Sequence, residues 1–386
     1  MDTHKSFACL LAVFSFTAAL QAATAPYGKE IPLAGPVERY IAVDNVCAWP
    51  NLTVLRDGTI VAAIFNQPSH GRTEGAVEVW ASPDGRFWEK RGVPAPNEPV
   101  TNRMNVAAGL ARNGDLIVLV SGWTDVQQPN QAKKAPFRAK KLPVVVCRSS
   151  DGGRTWTRTS DFPAPSKGWT DFVPYGDILA GADGSLHATC YESRRDQVPI
   201  PVRVWHFRSD DDGRIWRATS IIGESRFAKA ASETSLLHLG KKHWLAAVRD
   251  DGSELTELFR SQDDGETWVG PETMTETHQL PAHLFRLADG RLLLSYGTRV
   301  DGQFGVLAKL SRDEGRTWNA PIRLADSLVR DCGYPSSVQR PDGAIVTAYY
   351  SASTQNHTRY HMGVVIWNPP TVSNPSSSSP LVSFSP

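Results

Sequence analysis

The stretch Ser149-Ser150-Asp151-Gly152-Gly153-Arg154-Thr155-Trp156 decides the fold, because it does not stand alone. Its pattern, Ser-x-Asp-x-Gly-x-x-Trp, returns at Ser209–Trp216 (SDDDGRIW), Ser261–Trp268 (SQDDGETW) and Ser311–Trp318 (SRDEGRTW), with a copy one residue shorter at Ser82–Trp88 (SPDGRFW). The pattern describes a hairpin turn. Asp accepts hydrogen bonds from nearby backbone N–H groups, Gly takes the positive-φ position, and Trp packs back over the loop. Each copy follows an alternating or apolar run such as Val77–Ala81, Val144–Cys147 or Val202–Phe207.

A second repeat lies upstream of each copy. Six tight turns, at Asp57-Gly58, Asn113-Gly114, Asp183-Gly184, Gly240-Lys241, Asp289-Gly290 and Asp342-Gly343, recur at roughly 57-residue intervals. Each precedes a strand-like run: Ile60–Phe65, Leu116–Val120, Leu186–Tyr191, Trp244–Val248, Leu292–Tyr296 and Ile345–Tyr350. One repeat therefore reads strand, tight turn, strand, loop, strand, Asp-Gly-Trp turn, strand, which is a four-stranded antiparallel propeller blade. Six turns predict an all-β, six-bladed propeller over residues 37–367. The last repeat stops after Tyr360–Trp367, so its fourth strand is expected from the N-terminal side, around Glu38–Val43, where it would cover an open edge. The insertion Asp125–Leu142 reads as a loop, and its basic run Lys133, Lys134, Arg138, Lys140 and Lys141 as a solvated face.

Composition agrees. The 386 residues carry 41 Lys+Arg against 40 Asp+Glu, which argues against a broad basic field for nucleic acid. Twelve Trp, 30 Gly and 27 Pro suit many short strands and turns. Residues 1–25 read as a secretory signal: His4 and Lys5, an apolar run Phe7–Leu20, then small residues to Ala25. No later segment is long and apolar enough for a membrane span, so a secreted or periplasmic monomer is expected. Pro369–Pro386 is Ser/Pro-rich and reads as a disordered tail. Cys47, Cys147, Cys190 and Cys332 show no metal-ligand spacing and read as buried apolar groups. No metal or other cofactor is expected.

The five Asp-Gly-Trp turns resemble the Asp-boxes of the sialidase (neuraminidase) superfamily. In that family the boxes are structural turns on the outside of each blade, so their Asp and Trp residues are given no catalytic role. Two further segments are similar to the family's catalytic positions. Gly333-Tyr334-Pro335-Ser336-Ser337-Val338, ahead of Pro341-Asp342-Gly343, resembles the segment of the nucleophilic Tyr. Ser232-Glu233-Thr234-Ser235-Leu236 followed by Val248-Arg249 resembles the blade-4 Glu and Arg, and Arg299 matches a blade-5 Arg. The resemblance implies Tyr334 as nucleophile, Glu233 as its base, and Arg249 and Arg299 as ligands for an acidic sugar. The chemistry is coherent: a neutral phenol avoids the repulsion that an anomeric carboxylate exerts on a carboxylate nucleophile, and sialidases are a standard exception of this kind among glycosidases. A phenol near pKa ~10 needs a base, and guanidinium pairs with carboxylate as a fork.

Two departures stand beside the match. Where the family opens blade 1 with an Arg, this chain has Cys47-Ala48-Trp49-Pro50, and Arg103 is the expected replacement. The loop Asn66–Glu74 lacks the family's acid/base Asp; His70 is nearest its position, with Glu74 second, and His works as acid or base near neutral pH. Asp331 and His283 are further expected substrate contacts, with Tyr175 and Asp171 behind them and Trp49 as a surface on which a sugar ring could stack. The expectation is a retaining exo-glycoside hydrolase releasing a terminal, acidic sugar from a glycan. The alternatives are a polysaccharide lyase using a His/Tyr pair, or a non-catalytic glycan-binding propeller.

Overall fold

The computed structural model describes residues 36–127, 134–194, 200–224 and 231–370. The expected secretory signal at 1–25, Lys133 and nearly all of the Ser/Pro-rich tail lie outside the described residues. Among those described there is no helix, and 24 strands are present.

The strands follow one another as antiparallel meanders of four. After β1 (Glu38–Asp44), the first unit is β2 (Ala48–Val54), β3 (Ile60–Phe65), β4 (Val77–Ser82) and β5 (Glu89–Ala95). The second is β6 (Thr101–Leu110), β7 (Leu116–Thr124), β8 (Lys140–Ser149) and β9 (Thr157–Thr159). The third is β10 (Val173–Ala180), β11 (Leu186–Ser193), β12 (Val202–Ser209) and β13 (Arg217–Glu224). The fourth is β14 (Ala231–Gly240), β15 (His243–Asp250), β16 (Leu255–Ser261) and β17 (Val269–Thr273). The fifth is β18 (Gln279–Arg286), β19 (Leu292–Thr298), β20 (Gly305–Ser311) and β21 (Ile322–Asp326). The sixth contains β22 (Cys332–Gln339), β23 (Ile345–Ser351) and β24 (His361–Trp367), and β1 completes it by pairing antiparallel with β24, from Glu38 opposite Ile366 to Asp44 opposite His361.

The Asp-Gly-Trp turns behave as their sequence dictates. Asp151 accepts from the backbone N–H groups of Arg154 (3.0 Å) and Thr155 (2.9 Å), Ser149 Oγ accepts from Gly153 N–H (2.8 Å), and the Trp156 indole donates to the Gly153 carbonyl (3.0 Å). Gly153 and Gly315 sit at φ +96° and +80°, a region that costs glycine little. Cys47, Cys147, Cys190 and Cys332 are free and buried.

In one respect the sheets differ from the six separate blades expected. Among the described residues there are five, because β6 and β10 pair in parallel through Ala107–Gly109 and Gly176–Ile178, fusing the second and third units into one eight-stranded sheet, and none of the five closes on itself. Gly109 permits this. A Cβ there would lie 2.1 Å from the Ile178 carbonyl oxygen, so only glycine lets the two backbones approach.

The apolar core is divided between units. Val61, Val79, Val118 and Cys147 pack where the first meets the second; Ile117, Ile178, Leu186 and Phe207 where the second meets the third. Leu52, Phe65, Val346 and Val364 join the first unit to the sixth. The first strand of each unit lies beside those of its neighbours, β2 beside β22 included. Side chains tie these strands: Ser336 Oγ accepts from Leu52 N–H (2.9 Å), and Ser235 Oγ from Leu284 N–H (3.0 Å).

Candidate active site

Each of the six first strands breaks register near its start: between Ala48 and Asn51, Arg103 and Asn105, Tyr175 and Leu179, Ala231 and Thr234, Gln279 and Ala282, and Gly333 and Ser336. Bulges re-aim side chains out of the alternating pattern. Trp49, Met104, Tyr175, Glu233 and Tyr334 sit at or beside these breaks, and all line one cavity of about 340 Å³. Ala48, Trp49 and Tyr334 hold positive φ (56°, 47° and 51°), a conformation that costs a non-glycine residue energy and gathers at functional sites.

Tyr334, Glu233 and Arg249 converge. The Tyr334 hydroxyl lies 2.8 Å from both carboxylate oxygens of Glu233 and donates to that group. Arg249 Nη1 donates to Glu233 Oε2 (2.5 Å) and to the Tyr334 oxygen (2.7 Å), while its Nε donates to Asp251 Oδ1 (2.7 Å). Ser232 Oγ holds the other Asp251 oxygen (2.9 Å). Burial pushes the Tyr334 phenol above its ordinary value; Arg249 pulls it back down and Glu233 adds to the rise. Burial would lower the Arg249 pKa, but Tyr334, Glu233 and Asp251 around it outweigh that and raise it well above the usual arginine range. Burial also raises the Asp251 carboxyl, opposed by Arg249. The arrangement gives a buried phenol an adjacent proton acceptor and a fixed positive charge for its oxygen.

His70 lines the same cavity. Its Nδ1 lies 2.9 Å from Asp331 Oδ1, and its ring meets Trp49 edge-on at 5.0 Å between centroids. Asp331 also accepts from Tyr350 (2.6 Å) and from Tyr360. Burial raises this carboxyl, but the bonds from His70 and the two tyrosines prevail and hold it at about 2. Asp331 thus stands behind His70 and outside the cavity lining. His283, on β18, is buried at the cavity wall; its Nδ1 accepts from Ser337 N–H (3.3 Å), so its Nε2–H donates to Asp177 Oδ2 (2.9 Å), whose other oxygen takes a bond from Asn51 (2.9 Å). Tyr175 lines the cavity edge-on to Tyr334, with centroids 6.1 Å apart.

Other expected residues are placed elsewhere. Arg103 does not stand in for the missing arginine: its guanidinium is held by Glu98 (2.7 and 3.2 Å) and the Pro143 carbonyl, outside the cavity lining. Arg299 lies against the Tyr334 ring, 5.6 Å from its centroid, and reaches only the Cys332 carbonyl at 3.4 Å. Glu74 accepts from Val100 N–H (2.7 Å), and Asp171 does not line the cavity.

The basic run in the insertion is a correction. Lys134 and Lys140 are exposed, as a solvated face requires, but Lys141 is only 4% exposed, and both it and Arg138 line the cavity. Contiguous lysines ahead of a strand read as solvent-facing. Lys141 is covered by Trp123 and by Tyr191 and Ser193 of the third unit.

Repeated four-stranded meanders with Asp-Gly-Trp turns, around a cavity holding a Tyr–Glu–Arg cluster, define a sialidase-like all-β protein. The model of one family, the BNR repeat-like domain, matches residues 47–347, and the chain belongs to that family. No curated protein matches it. Among solved structures it is similar to a protein of unknown function from Dyadobacter fermentans (22% identity, 86% of this chain and 99% of that one, TM-score 0.74). It is also similar to the Hadza microbial sialidase Hz136 (17% identity, 84% and 66%, TM-score 0.66) and to the Penicillium chrysogenum alpha-L-arabinanase (13% identity, 83% and 93%, TM-score 0.56). At these identities the likeness is one of fold, and this chain spans 66% of the sialidase.

Proposed function

We propose that residues 37–367 form a six-bladed propeller whose mouth is the active site of a secreted or periplasmic, retaining exo-glycoside hydrolase acting on a terminal acidic sugar. The supporting observation is the Tyr334–Glu233 hydrogen bond at 2.8 Å with Arg249 on the same oxygen. Glu233 takes the phenolic proton as Tyr334 attacks the anomeric carbon; the bond to the leaving oxygen breaks as His70 protonates it. Water, deprotonated by His70, then displaces Tyr334, whose phenolate recovers its proton from Glu233 as the first configuration is restored. Asp331 orients His70 through the contact at Nδ1. The cyclic contacts of the first strands and the completion of the sixth unit by β1 support the closed ring.

Tyr334→Phe is expected to lower turnover on a panel of aryl glycosides by about a thousandfold or more, with the thermal midpoint little changed. Unchanged turnover in that variant would remove the mechanism. Proton NMR of the first-formed product gives the anomer, and an inverted one is incompatible with a tyrosyl intermediate. His70, held by Asp331 and lining the same cavity as Tyr334, also suits proton abstraction by a polysaccharide lyase. New ultraviolet absorbance from an unsaturated uronate product would identify that chemistry instead.

A further inference from the structure

Arg299 resembles a family position that grips an acidic sugar, yet the fold gives it a different neighbour. It follows β19 and does not line the cavity. Its guanidinium carbon stands over the face of the Tyr334 ring, 5.6 Å from the centroid, and its Nε and Nη2 each lie 3.4 Å from the Cys332 carbonyl oxygen. A substrate in the cavity therefore meets Tyr334 and not Arg299.

The backbone fixes this placement. Gly297, two residues before Arg299, packs against Gly333, one residue before Tyr334: a Cβ on Gly333 would lie 2.9 Å from Gly297 Cα. The Arg299 backbone N–H donates to the His278 carbonyl (2.7 Å). Two glycines in close approach thus bring the guanidinium to the phenol.

Two positive charges bear on that phenol from different directions. Arg249 donates to its oxygen (2.7 Å) but is shared with Glu233 and Asp251. Arg299 faces the ring instead. A neutral phenol offers a cation only the weak negative charge of its ring face. A phenolate spreads a full charge into the same ring, so the attraction grows as the proton leaves, and burial keeps it strong. Burial raises the Tyr334 phenol, and Arg249 and Arg299 both oppose that rise. Also facing Tyr334 or feeling its charge are Glu233 of the fourth unit, Tyr175 and Tyr191 of the third, Tyr350 of its own, and Arg138.

We propose that Arg299 acts through Tyr334: it is no ligand for the substrate but a fixed charge that stabilises the phenolate across the ring face. The step it serves rests on the hydrolase reading. On attack, the phenolic proton passes to Glu233 while the oxygen bonds to the anomeric carbon. In the second step that carbon–oxygen bond breaks, its electron pair returns to the Tyr334 oxygen, and Glu233 gives back the proton. Arg299 favours both steps, the second because Tyr334 is then the leaving group.

The test installs 3,5-difluorotyrosine in place of Tyr334 in the full chain, which makes the phenol more acidic and gives it a fluorine NMR signal to titrate. Arg299→Gln, which can still donate to the Cys332 carbonyl, is expected to raise the titration midpoint by about one pH unit, a tenfold loss in acid dissociation. Arg299→Lys keeps the charge and should recover at least half of that shift. The sign separates charge from scaffolding, because a loosened site would admit water to the phenol and lower the midpoint. An unchanged or lowered midpoint in Arg299→Gln overturns the proposal, as does a failure of Arg299→Lys to recover any of the shift. Turnover unchanged in Arg299→Gln while Tyr334→Phe is inactive also overturns it. The titration needs no turnover, so failure of the hydrolase reading would be seen separately, as retained activity in Tyr334→Phe.

Discussion

Glu233 faces two donors that compete for the same oxygens: a guanidinium that stays charged and a phenol that can lose its proton. Removing its charge tests that division. Glu233→Gln keeps the shape but accepts no proton, so kcat should fall by about a hundredfold or more, measured on the best aryl glycoside. Arg249, left with one fewer counter-charge, should remain bound to Asp251. Asp331 acts through His70. Asp331→Asn should lower kcat more than it raises KM, a split that mere loosening of the fold does not produce. Tyr334, Glu233 and Arg249 were legible through the resemblance of their segments to the sialidase superfamily, and the fold brings the three together. Arg138 and Lys141 were not. Their burial comes from Trp123, Tyr191 and Ser193 on other strands, and nothing in a run of charges announces such a cover.

The strands were legible for a different reason. The Asp-Gly-Trp turns close on themselves: Asp151 collects donors from within four residues, so the local sequence holds all the information needed. Asp151→Ala should cost about 1 kcal/mol of stability, seen as a lower denaturation midpoint, with kcat unchanged because the turn lies away from the cavity. The parallel pairing of β6 with β10 was not legible, since it depends on how closely two units approach. Gly109→Ala places a methyl against the Ile178 carbonyl and should cost about 1–3 kcal/mol. Hydrogen exchange should rise at Ala107–Gly109 and Gly176–Ile178 together. Protection lost on one strand alone would contradict the ladder.

Between the third and fourth units, His187 and His206 are buried side by side, bonded to each other at 2.8 Å and to Ser185 and Thr219 at 2.8 Å each, against Trp244. Burial pushes both well below the ordinary imidazole range, so they stay neutral in the folded protein. The unfolded chain binds those protons first. Their contribution is therefore intact above pH ~6.5 and is lost as pH falls below it, by up to ~1.4 kcal/mol per pH unit for each proton. Urea denaturation between pH 7 and 4 should show this slope, and His206→Gln should flatten it. In the sixth unit, β1 completes the sheet of β22, β23 and β24, with Val43 buried among Met362 and Val364. That pairing orders biosynthesis. β1 emerges from the ribosome before every other strand of its sheet, so its native pairing waits until β24 has been made.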